Sequence, residues 1–189
     1  MDSWRHRPLV VAVIGLVVVT AYAAWAALQI LVLNPLAAAP GRTLTQIYAE
    51  MDAAGELPSS GDTVGFLALG PLLAVVMVLI TAVGRVPAFV AAAFTLALLI
   101  FGAPAYVMAS FRWGMGLADT YGIGGGDHSG GSLVLYAVSL AAVVGMVVMG
   151  VRSPRAARRD PLRPRSTSPR GGGRRTRPST ARGAAAAHR

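Results

Sequence analysis

The sequence predicts an all-α integral membrane protein with four transmembrane helices packed as a bundle. Of the 189 residues, 54% are hydrophobic and only 13% are charged, whereas soluble domains carry about 25% charged residues. Four long segments contain no charged residue, and the arginines gather at the C-terminus instead. Each of these segments has about the 20 apolar residues that a helix needs to cross a bilayer.

The uncharged segments divide the chain into spans and connections. The predicted spans are residues 9–33, 64–84, 88–109 and 132–151. The connecting and terminal segments are residues 1–8, 34–63, 85–87, 110–131 and 152–189. The three-residue connection predicts that the second and third spans form an antiparallel hairpin, since no longer path is available.

The first span follows a short basic segment and therefore also resembles a signal peptide. Its apolar run continues well past the small residues around Ala21 and Ala24, so a retained span is favoured over cleavage. Trp25 is expected near the membrane interface. Gln29 is interpreted as a polar group at the edge of the hydrocarbon rather than as a substrate ligand, and Pro35 is expected to end the span.

The loop at 34–63 is predicted to contain a short surface helix near 43–54. Thr43 and Gln46 have the spacing of a capping box, in which each side chain bonds the other residue's backbone N–H. Ile47 and Met51 share one helical face, and Gly55 suits the position just after the helix end.

The charges of the connections predict the topology. The N-terminus, the turn at 85–87 and the C-terminal segment are basic, while both long loops are acidic. Because cytoplasmic segments are enriched in basic residues, both termini and the turn at 85–87 are predicted to be cytoplasmic, and the loops at 34–63 and 110–131 extracytoplasmic. Alanine is abundant, and all 17 basic residues other than histidine are arginines. This bias is typical of a high-GC bacterium, and the expected location is the cytoplasmic membrane of such an organism.

The spans carry no charged residue, which argues against a self-contained proton-coupled carrier or pump. Their central hydroxyl groups are expected to bond to the backbone of their own helices. These hydroxyls belong to Thr20, Thr81, Thr95 and Ser139.

The loops hold the few residues with reactive side chains. Asp52 and Glu56 are four residues apart and could hold a divalent cation weakly, but a solvated acidic face is favoured. Asp119, Asp127 and His128 are the candidates for an active site in the glycine-rich loop, although a solvated loop is the favoured interpretation. No catalytic motif and no cysteine is present, so a non-enzymatic protein without cofactor or metal is expected.

The segment at 152–189 contains 12 arginines and one aspartate, with Leu162 and alanines as its aliphatic residues. It is predicted to be disordered, because it cannot bury enough apolar surface to offset the entropy of ordering. Its arginines are candidates for binding anionic lipid headgroups or an acidic protein. These candidates are Arg152, Arg155, Arg158, Arg159, Arg163, Arg165, Arg170, Arg174, Arg175 and Arg177.

Two other roles for this segment stay open from the sequence. A solvated segment that only enforces orientation is one, and nucleic-acid binding is the weakest. The function expected overall is that of a small multi-pass membrane protein of structural or accessory type, whose basic tail contacts anionic lipid or an acidic partner. The alternative is a subunit of an oligomeric transporter or channel, and homo- or hetero-oligomers fit either role. A third class is a membrane enzyme that uses the outer loops.

Overall fold

The computed structural model describes residues 3–84 and 86–158, and the described chain is helical with no strand. A π-helical turn, Gln29–Leu33, continues the first helix into the second. The six α-helices are α1 Ser3–Leu28, α2 Asn34–Ala38, α3 Leu44–Ala53, α4 Ser60–Val83, α5 Ala88–Tyr121 and α6 Ser132–Arg158.

Four helical segments are long and apolar enough to cross a membrane, which confirms the predicted number. They are Arg7–Ala38, Ser60–Val83, Ala88–Tyr121 and Ser132–Arg152. Helix α1 packs against α4 and α5, and α6 packs mainly against α5. At one end of the helices, Ala12, Met77 and Ala91 form a small buried cluster. We call this the turn end, because the connection between α4 and α5 lies there.

The opposite end, which we call the loop end, is closed by α3 and the loop at 122–131. A larger buried cluster there joins α3 to the long helices, and it includes Ile47, Met51, Trp113 and Leu117. The predicted capping box is present, with Gln46 N–H donating to Thr43 Oγ1 and Thr43 N–H donating to Gln46 Oε1. Gly55 follows the helix with a φ of 76°.

The first predicted span does not end at Asn34-Pro35. The chain stays helical to Ala38, because Pro35 occupies the first turn of α2, where a missing backbone N–H is tolerated. The Asn34 N–H donates to the Gln29 carbonyl five residues earlier, which is the bond of a π-helical turn. The π-helical turn contains one more residue than an α-helical turn, and this lets the helix continue through Pro35.

The third predicted span is much longer than expected, since α5 continues from the predicted end at 109 to Tyr121. Tyr106, Trp113 and Leu117 are buried on the extended helix, and their spacing of seven and four residues puts them on one face. Much of the predicted glycine-rich loop is therefore helix. Similarly, α6 runs past its predicted end at 151 to Arg158. Residues 152–158 are therefore helical and not disordered as predicted, and the rest of that predicted segment lies outside the described residues.

Candidate functional site at the loop end

The loop end is organised around Trp113, which is 1% exposed. Its indole Nε1–H donates to Thr63 Oγ1 on α4 at 2.9 Å. Its ring lies 5.4 Å from the Tyr48 ring at an angle of 43°. One side chain of α5 therefore contacts both the start of α4 and the surface helix α3.

Tyr48 joins α3 to the π-helical turn. Its hydroxyl donates to the Leu31 carbonyl at 2.6 Å. Irregular helical turns leave carbonyls that need partners outside their own helix, and this tyrosine supplies one. The phenol is protonated in the neutral range, as the bond requires, and burial raises the pKa of Tyr48 further above its ordinary value.

The loop at 122–131 is attached to the first helix through two buried amide side chains. Ser129 Oγ donates to Gln29 Oε1 at 2.8 Å, and the His128 backbone N–H donates to Asn34 Oδ1 at 2.6 Å. Gln29 is 0% exposed and Asn34 is 4% exposed. Among the described residues, Gln29 Nε2 has no hydrogen-bond partner.

Asp127 is tied to the same region through Tyr106, whose hydroxyl donates to Asp127 Oδ1 at 2.7 Å. The Tyr106 ring is fully buried and meets the Tyr136 ring edge-on, with 5.9 Å between centroids. Asp127 is exposed as a whole residue, but its Oδ1 atom accepts a hydrogen bond from the buried Tyr106. The loop is anchored at three consecutive positions, residues 127–129.

This anchoring differs from the favoured sequence interpretation of a solvated loop. Asp127 binds a buried tyrosine, while His128 is exposed and contributes its backbone. Asp119 lies on α5 instead of in a loop. Among the described residues, no group of three or more His, Cys, Asp or Glu could hold a metal ion. The chemistry that the arrangement displays is hydrogen bonding between helix and loop.

A second polar contact lies deeper between the helices and was missed by the sequence interpretation. Ser139 Oγ donates to the Leu99 carbonyl at 2.7 Å and lies 3.1 Å from the Tyr22 hydroxyl. It therefore joins α1, α5 and α6 instead of bonding its own helix as expected. Thr81 and Thr95 do bond their own helices, at the Met77 and Ala91 carbonyls.

The arginine candidates begin at the turn end. Arg152 is exposed on α6, and Arg155 and Arg158 follow it at intervals of three residues on the same helix. The other candidates lie outside the described residues. They are Arg159, Arg163, Arg165, Arg170, Arg174, Arg175 and Arg177.

Against this geometry, comparisons with protein-family models, with curated proteins and with solved structures find no match to this chain.

Proposed function

We propose that the chain is a four-span protein of the cytoplasmic membrane with a structural or accessory role. The observation that carries this proposal is the apolar surface of the long helices. Large aliphatic and aromatic side chains are more than half exposed on each of them, including Val17, Leu79, Phe101 and Leu140. Soluble monomers rarely expose contiguous apolar surface of this extent, whereas lipid would cover it.

The use of the polar groups favours an accessory role. Between the helices, hydroxyl groups bond to backbone carbonyls, as Ser139 does at Leu99. At the loop end, the side chains of Gln29, Asn34 and Tyr106 hold a loop in place. Such bonds stabilise membrane helix packing. The protein would then have a rigid outer face at the loop end and a basic segment on the other side of the membrane.

We expect the two ends of the bundle to lie on opposite sides of the membrane, with the turn end in the cytoplasm. The chain has no cysteine, so single cysteines can report the topology. Thr45 is exposed on α3 at the loop end, and Val83 is 93% exposed at the turn end. A membrane-impermeant maleimide should label Thr45→Cys in intact spheroplasts and Val83→Cys only after permeabilisation.

Labelling in SDS provides the control, since both thiols should then react fully. The reverse pattern would overturn the proposed orientation. Equal labelling of both positions in intact spheroplasts, or recovery of the protein in the soluble fraction, would overturn the membrane assignment itself.

We expect the C-terminal arginines to bind anionic lipid. Nine of the 12 lie in residues 159–189, and each basic residue near an anionic surface contributes about 1 kcal/mol. Replacing all nine with glutamine, in full-length protein in zwitterionic nanodiscs, should weaken capture of phosphatidylglycerol vesicles at least tenfold. The nine contributions together would exceed a tenfold effect, but the entropy lost when the segment is confined to the membrane surface offsets part of them.

A scrambled 159–189 segment with the same composition is the matched control and should bind as the native chain does. The native interaction should also weaken as salt is raised, because ions screen charges at the surface. Unchanged capture by the glutamine variant would overturn the role of these arginines.

A further inference from the structure

A groove follows the outer surface of α4 and α5 from the loop end towards the middle of the bundle. It consists of three adjoining cavities of about 200, 220 and 160 Å³. Arg112 lines both the first and the second cavity, and Phe66 lines both the second and the third. The shared residues place the three cavities in a row along α4 and α5.

The part of the groove between Phe101 and Arg112 is about as long as one leaflet of the hydrocarbon core is thick. Along α5 it is lined by Phe101, Ala105, Ala109 and Arg112, which lie on one face at intervals of three and four residues. At 1.5 Å per residue, the distance from Phe101 to Arg112 is about 16 Å. Half of the hydrocarbon core is about 15 Å, so Phe101 would lie near the bilayer centre and Arg112 at its surface.

The chemistry of the lining changes along this path. The deepest cavity is lined almost wholly by apolar groups, among them Phe66, Gly70, Phe101 and Gly102. The mouth is charged, since Arg112 is exposed there and forms no ion pair within the described part of the chain. Glu56 lines the outer cavity beside it, and Asp62 lines the middle cavity.

We propose that this groove binds an aminophospholipid from the leaflet at the loop end. One acyl chain occupies the apolar cavity, the phosphate binds Arg112, and the primary ammonium binds Glu56 or Asp62. A guanidinium binds phosphate oxygens well. An adjacent carboxylate favours a headgroup that carries a positive ammonium as well as the phosphate over a headgroup that is only anionic. This assignment rests on the membrane insertion proposed above.

Lipid retention by the purified full-length protein tests the assignment. Delipidated protein in detergent would be offered phosphatidylethanolamine, phosphatidylglycerol and phosphatidylcholine with identical acyl chains, and native mass spectrometry would count bound lipids. We expect phosphatidylethanolamine to be retained at least fivefold more than the other two. Phosphatidylglycerol lacks the ammonium, and the quaternary ammonium of phosphatidylcholine cannot donate a hydrogen bond.

Arg112→Gln should reduce phosphatidylethanolamine retention at least fivefold. Arg42→Gln is its matched control, because Arg42 is also an exposed arginine of the loop end but pairs with Glu50 and does not line the groove. Ala105→Phe should fill the deep cavity and lower retention of all three lipids. Leu140→Phe, at a position 65% exposed on α6, should not.

Equal retention of the three lipids, or equal behaviour of the Arg112 and Arg42 variants, would overturn the assignment. Dimers that Ala105→Phe dissociates would also overturn it, because they would place a second copy of the chain in the groove. If the cysteine labelling supports insertion while lipid retention fails, only the groove assignment is lost. If the labelling fails, both proposals are lost.

Discussion

Trp113→Ala is expected to lower the free energy of unfolding by about 3–5 kcal/mol, the usual cost of truncating a buried tryptophan. The side chain is 1% exposed and contacts α3 through the Tyr48 ring. Its removal leaves a cavity at the loop end and deprives the buried Thr63 hydroxyl of the indole donor. Trp113 lies beyond the predicted span, in the part of α5 that contacts the surface helix. Folding therefore removes its side chain from water and not from lipid.

Reversible unfolding in SDS mixed micelles, followed by circular dichroism, would measure this loss. Phe111→Ala is the matched control, because Phe111 lies on the same helix but is 64% exposed. Its truncation should change the free energy of unfolding by about 0.5 kcal/mol or less. Equal losses for the two variants would contradict the assignment of Trp113 as the central contact of the loop end.

The features that the sequence predicted correctly depend on local composition. Four apolar segments of sufficient length are visible without any knowledge of their packing, because bilayer thickness alone sets the length required. The surface helix was similarly predictable, since its start rests on Thr43 and Gln46, three residues apart. In both cases the deciding interactions lie within one turn or one segment of the chain.

The contacts that build the loop end are distant in sequence, and this is why they were missed. Ser129 and Gln29 are 100 residues apart, and His128 and Asn34 are 94 residues apart. No local pattern relates such positions. The one available signal was Gln29 itself, the only residue with an amide side chain in an uncharged segment of 25 residues. An amide side chain in or at the edge of the hydrocarbon needs a hydrogen-bond partner.

The extension of α5 was missed because its glycines are poor helix formers. The structure gives them a packing role that the sequence alone does not reveal. A Cβ atom on Gly114 would lie 2.4 Å from the carbonyl oxygen of Gly125, in the loop at 122–131. Glycine allows the backbone of the helix to approach the loop closely at this point.

Gly116→Ala is therefore expected to destabilise the protein by about 1–3 kcal/mol, the usual cost of overpacking. The added Cβ would lie 2.4 Å from the Glu56 carbonyl oxygen and 3.0 Å from Met51 Cε. The methionine side chain can move, but the carbonyl belongs to the backbone that follows α3. The substitution should therefore push α3 away from α5.

Gly65→Ala provides the control that separates packing from helix propensity. Gly65 is also inside a long helix, but a Cβ there would have no neighbour within 4 Å. Alanine is a better helix former than glycine by about 1 kcal/mol, so this variant should be slightly stabilised. The same substitution is thus expected to have opposite signs at the two positions in SDS-induced unfolding. Stabilisation of both variants would show that α3 is not held against α5 at Gly116, because only a close backbone contact makes the added methyl group unfavourable.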